Sequence, residues 1–372
     1  MRPVRLAVIG AGRLGGFHAQ KAAAHGAVAL VGVADPAAAA RRRVAADCGC
    51  RAVADYRDLI GEIDAAIVAA PTGLHWEIGL DLLGAGVHLL MEKPLARTGR
   101  EAAGLVAEAA RRGAVLQVGH VERFNPAFTR AAAELQNAKY IEAVRTSGFT
   151  FRSTDVGVVL DLMIHDLDLV LSLVRGPLRR IDALGLSVLG GHEDVAHARL
   201  EFEDGCVATL AASRVSHEAA RRMSVWSPAA FTAIDFAARK TSMVRPSDAL
   251  REGMFDVNRL APAEVDYYRA HLLDEHLPLE ILQCEAVDAL AAELDDFIES
   301  ICAPRLPRVT GEHGSDAVAV AEQILASIDA HRWDAAEDGL SGPHLRPRRG
   351  VLPGPHWQPV ARGTPLERKE AG

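Results

Sequence analysis

Hydrophobic and polar positions follow one pattern in the first third of the chain. Short apolar runs occupy 4–9, 28–34, 64–70, 87–91 and 114–118, and helical stretches at about 17–25, 74–83 and 97–112 separate most of them. Strands that alternate with helices of this length predict a parallel, doubly wound sheet. In such sheets ligands bind at the carboxyl ends of the strands. That rule brings Thr72, His75, Lys93 and residues 119–125 toward one crevice.

The pattern changes after residue 124. A helix is predicted over 126–135, an extended segment over 138–148 and a second helix over 155–174. Apolar runs joined by short turns follow at 181–189, 196–202, 206–213, 222–226 and 231–236. They predict a C-terminal α/β domain with a large, mostly antiparallel open sheet. The segment 238–278 is polar and irregular, an insertion or lid, and 279–301 and 315–330 predict two amphipathic helices.

The helix predicted over 155–174 carries four titratable groups in the apolar stretch that follows Asp155. Asp161, His165 and Asp168 are spaced i, i+4 and i+7, so they share one helix face, whereas Asp166 points away from it. Burying such groups is costly unless they are paired or used. The helix therefore lines either a functional site or an interface between domains in which these polar groups are paired.

Length and charge narrow the class of protein. The 372 residues predict two domains, 1–122 and 123–338, and a Pro/Arg-rich tail, 339–372, that we expect to be disordered. A net charge of −8 argues against a surface for nucleic acid or anionic membranes. Five cysteines without zinc spacing, no signal-like start and no apolar run of membrane length predict a cytoplasmic protein.

A glycine-rich turn follows the first strand. Gly10 suits the tight turn, Gly12 allows a pyrophosphate to approach the backbone, and Gly15 allows close packing of helix and strand. The second strand ends at Asp35, whose carboxylate would bind the ribose hydroxyls and repel a 2′-phosphate. The pattern predicts NAD rather than NADP. Two alternatives stay open: Asp35 caps a helix, or the arginines at 41–43 weaken the preference for NAD over NADP.

Five motifs in register carry a family resemblance: GAGRLGGFHA, AAPTGLHWEIGLDLL, LLMEKPLA, VGHVERFNPA and DLMIHDLD. Over residues 3 to 335 the chain resembles the Gfo/Idh/MocA oxidoreductases. The resemblance implies an N-terminal Rossmann domain, NAD as cofactor and a homo-oligomer, dimer or tetramer, formed through the open sheet. It implies these cofactor-binding residues: Gly10, Gly12, Arg13, Leu14, Gly15, Asp35, Pro71, Thr72, His75, Glu92 and Lys93.

The same resemblance implies oxidation of a secondary hydroxyl, with Lys93, His165 and Asp161 as catalytic residues. Histidine suits the base because its unperturbed pKa, roughly 6.5, lies near working pH. Lys93 would polarise the oxygen or relay the proton, and Asp161 would orient the imidazole or bind a substrate hydroxyl. The alternatives are a surface ion pair for Lys93 with Glu92 and a metal held by the aspartates and His165. Family members work without a catalytic metal.

Within the family, the chain most resembles nucleotide-sugar 3-dehydrogenases. This implies oxidation of the 3-hydroxyl of UDP-N-acetylglucosamine to a 3-keto sugar, which an aminotransferase converts to an amino sugar for lipid A. Arg123, Arg152 and Arg214 are placed to meet a diphosphate, or are ordinary arginines. Met163 stands where many members have glycine, which leaves substrate size open. A free sugar, an inositol or a UDP-uronic acid is the alternative substrate, and a non-catalytic NAD(H)-sensing protein the alternative class.

Overall fold

The first half of the chain forms a six-stranded parallel sheet. The computed structural model describes residues 2–132, 134–151, 153–174, 176–254, 256–284, 286–303, 305–333 and 340–343. The strands are β1 (Val4–Ile9), β2 (Val28–Ala34), β3 (Arg51–Val53), β4 (Ala65–Val68), β5 (His88–Glu92) and β6 (Leu116–Gly119). The helices between them are α1 (Arg13–Ala24), α2 (Ala38–Cys48), α3 (His75–Gly84) and α4 (Gly99–Arg112). Two of these elements were not predicted, the three-residue strand β3 and the helix α2.

The strand order is β3-β2-β1-β4-β5-β6, and every pair is parallel. This is the order of a Rossmann sheet, and the chain direction across the sheet reverses between β1 and β4. Strand β4 is buried at all four positions, because helices cover both sheet faces. The carboxyl ends of β1, β4, β5 and β6 therefore open on one crevice at the reversal point. The predicted doubly wound parallel sheet is confirmed.

The second sheet has eight strands and is mostly antiparallel, as predicted. Its order is β14-β13-β12-β11-β7-β10-β9-β8, and only β7 and β10 pair in parallel. The strands are β7 (Tyr140–Thr146), β8 (Leu178–Leu186), β9 (Val195–Phe202), β10 (Val207–Ser213), β11 (Ala220–Trp226), β12 (Phe231–Asp235), β13 (Lys240–Val244) and β14 (Leu279–Gln283). The helices are α5 (Pro126–Ala131), α6 (Ile164–Leu173), α7 (Asp248–Arg251), α8 (Pro262–His271), α9 (Ala289–Cys302) and α10 (Gly311–Ala330).

Two helix predictions were wrong at their starts. The helix predicted from 155 begins with a π-helical turn, Val159–Met163, before α6, because residues 153–157 form a loop that Arg214 ties down. The helix predicted over 279–301 begins only at α9, because residues 279–283 add an edge strand to β13. The segment 238–278, predicted to be irregular, contributes β13 and two helices.

The last two helices connect the halves. Helix α10 packs against α4 of the first half and against α6 and β8 of the second, while α9 packs against α1. Because α10 contacts both halves, it fixes the position of α6 relative to the parallel sheet. Of the predicted tail only Leu340–Pro343 is among the described residues, and there Gly342 accepts a hydrogen bond from the Trp333 indole. No helix in the described ranges has both the length and the hydropathy to span a membrane.

Candidate active site

The glycine turn after β1 has the geometry that a dinucleotide requires. Gly10 has φ +100°, and a Cβ there would lie 2.5 Å from the backbone oxygen of Ala69. A Cβ on Gly15 would lie 1.8 Å from the Gly10 oxygen, so helix and strand can approach only without a side chain. A Cβ on Gly12 would meet no other heavy atom within 4 Å beyond its chain neighbours, and this residue caps α1 without a side-chain hydrogen bond. The helix N–H groups at Arg13 and Leu14 are thus available to a phosphate.

Asp35 lies at the end of β2, beside this turn. Its carboxylate accepts hydrogen bonds from the backbone N–H of Ala11 and of Ala37, each at 2.7 Å. Asp35 therefore braces the glycine turn, and its role toward the ribose stays a prediction. The Arg41 guanidinium donates to the Asp35 and Pro36 carbonyl oxygens. A cleft of about 540 Å³, lined by Gly12, Arg13 and Arg43 among others, runs from the turn between α1 and α2.

The segment after β4 brings Pro71, Thr72 and His75 to the same edge. Thr72 is buried, and His75 opens α3. The His75 ring nitrogens lie 2.9 Å from the carbonyl oxygens of Pro94 and Ala70. Burial lowers the pKa of His75. This histidine therefore ties the turn after Lys93 to the end of β4, and its role toward the cofactor stays a prediction.

Glu92, at the end of β5, takes part in a buried polar cluster. Its Oε1 lies 2.7 Å from His18 Nε2, and its Oε2 accepts the Lys93 backbone N–H at 3.2 Å. The carboxyl group of Glu293 on α9 completes the cluster, with both oxygens buried and unpartnered among the described residues. Burial, and then the charge of Glu92, raise the pKa of Glu293 well above its ordinary value. The buried site therefore favours the neutral, protonated form of Glu293.

Lys93 and Asp161 meet across the junction of the two sheets. The Lys93 ammonium donates to the backbone oxygen of Asp161 at 2.6 Å and to its carboxylate at 3.2 Å. Asp161 lies in the π-helical turn, whose wider hydrogen-bond spacing is common at functional sites. Both side chains keep some exposure, 16% and 20%, so a substrate can reach them.

His165 lies one turn beyond Asp161, half-buried in the same crevice. Burial, and after it the positive charges of Lys93 and Arg145, lower the pKa of His165 well below its ordinary value. The ring is therefore neutral. Its Nδ1 is buried and has no partner among the described residues. Nε2 is then the nitrogen that can face a substrate.

The other two aspartates of α6 lie in buried ion pairs. Asp166, predicted to point off the shared face, receives two hydrogen bonds from Arg145, at 2.9 and 2.7 Å. Asp168 was predicted to share the face of His165, but its carboxylate lies 3.7 Å from the Arg123 guanidinium and is 2% exposed. Burial raises the pKa of Asp168 to about 6, against the opposing effect of Arg123. These pairs hold α6 in place.

The arginines predicted to bind a diphosphate have different surroundings. Arg123 pairs with Asp168, and Arg214 pairs with buried Asp194 at 2.8 Å. Arg214 also donates to the carbonyl oxygen of Val156 at 2.7 Å and is 5% exposed. Its contacts therefore hold the loop before α6. Arg152 lies outside the described residues, and substrate binding by Arg123 and Arg152 stays a prediction.

His120 also belongs to this site, although the sequence indicated it only as part of the segment 119–125. It follows β6 directly, and its ring packs edge-on to that of His165, with 6.3 Å between the ring centroids. Its position just beyond a strand end of the parallel sheet was the available signal. An isolated histidine in a segment of family-like sequence gave no indication of its partner.

Comparison with known proteins agrees with this architecture. The family model described as "Oxidoreductase family, NAD-binding Rossmann fold" matches residues 4–120, and the "GFO/IDH/MocA C-terminal domain" model matches 117–227. A UDP-N-acetylglucosamine 3-dehydrogenase of Acidithiobacillus ferrooxidans is 36% identical over 329 residues, 88% of this chain and 98% of that protein.

The chain belongs to the Gfo/Idh/MocA oxidoreductase family. A solved structure of the Acidithiobacillus ferrooxidans dehydrogenase superposes with a TM-score of 0.76 at 34% identity, covering 88% of this chain and 98% of that one. The scyllo-inositol 2-dehydrogenase (NAD(+)) of Bacillus subtilis is 28% identical over 57% of this chain and 68% of its own length. Levoglucosan dehydrogenase in complex with NADH and L-sorbose, at 17% identity and a TM-score of 0.74, shares the fold over 88% of this chain and 97% of its own.

Membership makes this chain an NAD-dependent oxidoreductase that acts on CH–OH groups. The residues fit the cofactor, because the glycine turn leaves its backbone open where a pyrophosphate binds and a carboxylate stands at the end of β2. The Gfo/Idh/MocA crevice here is bounded on one side by Lys93, at the carboxyl end of the parallel sheet, and on the other by Asp161 and His165.

Proposed function

We propose that this protein oxidises the 3-hydroxyl of UDP-N-acetylglucosamine, using NAD, to a 3-keto sugar. The observation that carries the chemistry is the contact of Lys93 with Asp161 beside a neutral, half-buried His165. Identity of 36% to a UDP-N-acetylglucosamine 3-dehydrogenase, over nearly the whole of that protein, supports the choice of substrate.

Each polar residue has a separate task in this proposal. Bound NAD supplies the hydride acceptor. His165 Nε2 accepts the proton of the substrate hydroxyl, which a neutral imidazole can do and an imidazolium cannot. Lys93 donates a hydrogen bond to the same oxygen and stabilises the charge that develops there. Asp161 holds the Lys93 ammonium at the crevice through its backbone oxygen and its carboxylate.

The proposal extends to the assembly and to the fate of the product. A 3-keto sugar is a substrate for an aminotransferase, which would link this enzyme to amino-sugar synthesis for lipid A. Two or four copies would associate through the sheet face opposite α6 and α10, and light scattering after size-exclusion chromatography measures that number directly. Arg123 and Arg152 remain the residues proposed to meet the diphosphate.

The substrate is tested by supplying NAD with a set of sugars and following the absorbance of reduced cofactor. The set comprises UDP-N-acetylglucosamine, its uronic acid, free N-acetylglucosamine and myo-inositol, each with a carbonyl-trapping reagent to draw the reaction forward. UDP-N-acetylglucosamine deuterated at C3 should transfer deuterium to the cofactor, whereas the C4-deuterated sugar should not. The proposal is contradicted if the protein oxidises only inositol, or if it oxidises none of the UDP-sugars.

The turnover of the His165→Asn variant distinguishes an enzyme from a protein that only senses the cofactor. Loss of a general base lowers turnover by about 10² to 10⁴-fold, while NADH binding, followed by its fluorescence, should not change. An inositol dehydrogenase is the second candidate, because a relative with that activity covers 57% of the chain. Unchanged turnover in His165→Asn removes His165 from the catalytic role under either substrate.

A further inference from the structure

The parallel sheet places His120 next to Lys93. Strands β5 and β6 are paired with Glu92 opposite Gly119, so the next residues, Lys93 and His120, leave the sheet side by side. The His120 side chain does not reach solvent, since the residue is only 1% exposed. It therefore lies behind the crevice and can act on the chemistry only through another residue.

The ring of His120 has two nitrogens that are buried and without a partner among the described residues, and His165 Nδ1 is in the same condition. Buried polar atoms normally have a hydrogen-bond partner, so three unpartnered nitrogens in two neighbouring rings need an explanation. The two rings are edge-on, 6.3 Å apart between centroids and 86° between planes. No direct hydrogen bond joins the two rings, whose buried nitrogens have no partner among the described residues. A centroid separation of 6.3 Å is compatible with one water bridging a nitrogen of each ring.

Burial and the surrounding positive charges keep both rings neutral. Burial, and then Lys93 and Arg123, lower the pKa of His120 to about 3, with Glu92 opposing and His313 of α10 adding slightly. Lys93, Arg145, His120 and Arg221 act on His165 in the same direction. A neutral imidazole has one N–H donor and one acceptor nitrogen, so His120 can accept a hydrogen bond at any pH at which the enzyme is assayed.

We propose that His120 is a positioning residue that sets the tautomer of His165 through one shared water. His165 Nδ1–H donates to the water, and the water donates to a ring nitrogen of His120. With its proton on Nδ1, His165 presents an unprotonated Nε2 to the crevice. This inference rests on the proposed role of His165 as the base.

The same hydrogen bond acts after proton transfer. When the hydroxyl proton moves to Nε2, His165 becomes an imidazolium, and its Nδ1–H then donates as a charged group, which strengthens the bond. His120 therefore favours the protonated form of His165 and raises its basicity, against the lowering effect of burial. Removing the acceptor should lower both the pKa of His165 and the rate of proton removal.

Two variants test the proposal in the full-length protein with NAD. His120→Phe keeps the ring volume without nitrogens and should lower kcat by about 10 to 100-fold, the range for residues that orient a functional histidine. KM for the sugar and the Kd for NADH should stay within about twofold, and the acid limb of kcat/KM should move to lower pH. His120→Gln retains an acceptor oxygen and should recover most of the lost kcat.

A measurement without substrate keeps this test separate from the proposed function. In protein labelled with ¹⁵N-histidine, the His165 resonances, assigned by their loss in His165→Asn, should show the Nδ1–H tautomer in wild type and His120→Gln. In His120→Phe they should move toward the Nε2–H tautomer. If no sugar is turned over but the tautomer shifts, the coupling stands and the proposed substrate fails.

Three results would overturn the proposal. The first is a folded His120→Phe with wild-type kcat and an unmoved pH profile. The second is an unchanged His165 tautomer in that variant. The third is equal loss of kcat in His120→Phe and His120→Gln together with an equal loss of thermal stability, which assigns His120 to packing alone.

Discussion

The ammonium of Lys93, at the end of the parallel sheet, donates to the backbone oxygen of Asp161 at 2.6 Å and to its carboxylate at 3.2 Å. One lysine thereby joins the cofactor half to the helix that carries His165. The contact holds a cation at the place where charge develops on a substrate oxygen, and such preorganised groups stabilise a transition state without reorganisation.

Replacing Lys93 by Met should remove that stabilisation. We expect kcat to fall by about 10² to 10⁴-fold with NADH affinity retained, measured by steady-state kinetics and cofactor fluorescence. Lys21→Met is the matched control, because Lys21, on α1, forms its ion pair with Asp288 at the start of α9, away from the crevice. A Lys93→Met enzyme with kcat within threefold of wild type would show that the Lys93–Asp161 pair is only structural.

Replacing Asp35 by Ala should change cofactor selection. The carboxylate that repels a 2′-phosphate is lost, and so is its hydrogen bond to the Ala11 N–H. The ratio of the Kd values for NADPH and NADH should fall by about tenfold, the worth of one hydrogen bond to a charged group. Titration of each reduced cofactor measures this ratio. Asp35→Asn keeps an acceptor for Ala11 without the charge, so an equal change in both variants identifies charge as the cause.

Arg145 binds two buried carboxylates, and its loss should destabilise the fold. Arg145→Met leaves Asp166 and Glu122 without their shared cation, which typically costs about 3–5 kcal/mol in the free energy of unfolding. Denaturant unfolding measures the change. Arg269→Met removes an exposed arginine paired with Asp266 on α8 and should lie within error of wild type. Similar values for the two variants would contradict the structural role of Arg145.

Glu293 should make stability depend on pH. Its folded pKa is raised far above the unfolded value of roughly 4.3, so between the two the native state holds a proton that the unfolded state has lost. The free energy of unfolding therefore falls as pH rises through that window, by about 1.4 kcal/mol per unit for one proton. Glu293→Gln removes this dependence and should gain stability relative to wild type from pH 5 upward.

Unfolding curves of both proteins at several pH values provide the check. Glu252→Gln, at an exposed position after α7, controls for a general effect of removing one negative charge. A constant difference between Glu293→Gln and wild type at every pH would mean that the Glu293 carboxyl titrates alike in the folded and unfolded chain.

Most of the fold followed from local patterns. The alternation of apolar runs and helices located five of the six parallel strands, because strands buried on both faces and the helices that cover them leave periodic signals. The start of the helix predicted over 279–301 was wrong because a five-residue segment, LEILQ, reads equally as strand or helix, and pairing with β13 decided it. Strand β3 was missed because three residues carry no period.

The sequence by itself determined the glycine turn, its carboxylate at Asp35 and the residues at the strand ends, since each rests on a steric or chemical demand that is local. The tertiary structure decided the partner of each buried charge. Helical periodicity placed Asp161, His165 and Asp168 on one face, yet Asp168 pairs with Arg123 while His165 packs on His120. Those partners lie 45 residues away in the chain. Only the packing of α10 against both β6 and α6 brings them into contact.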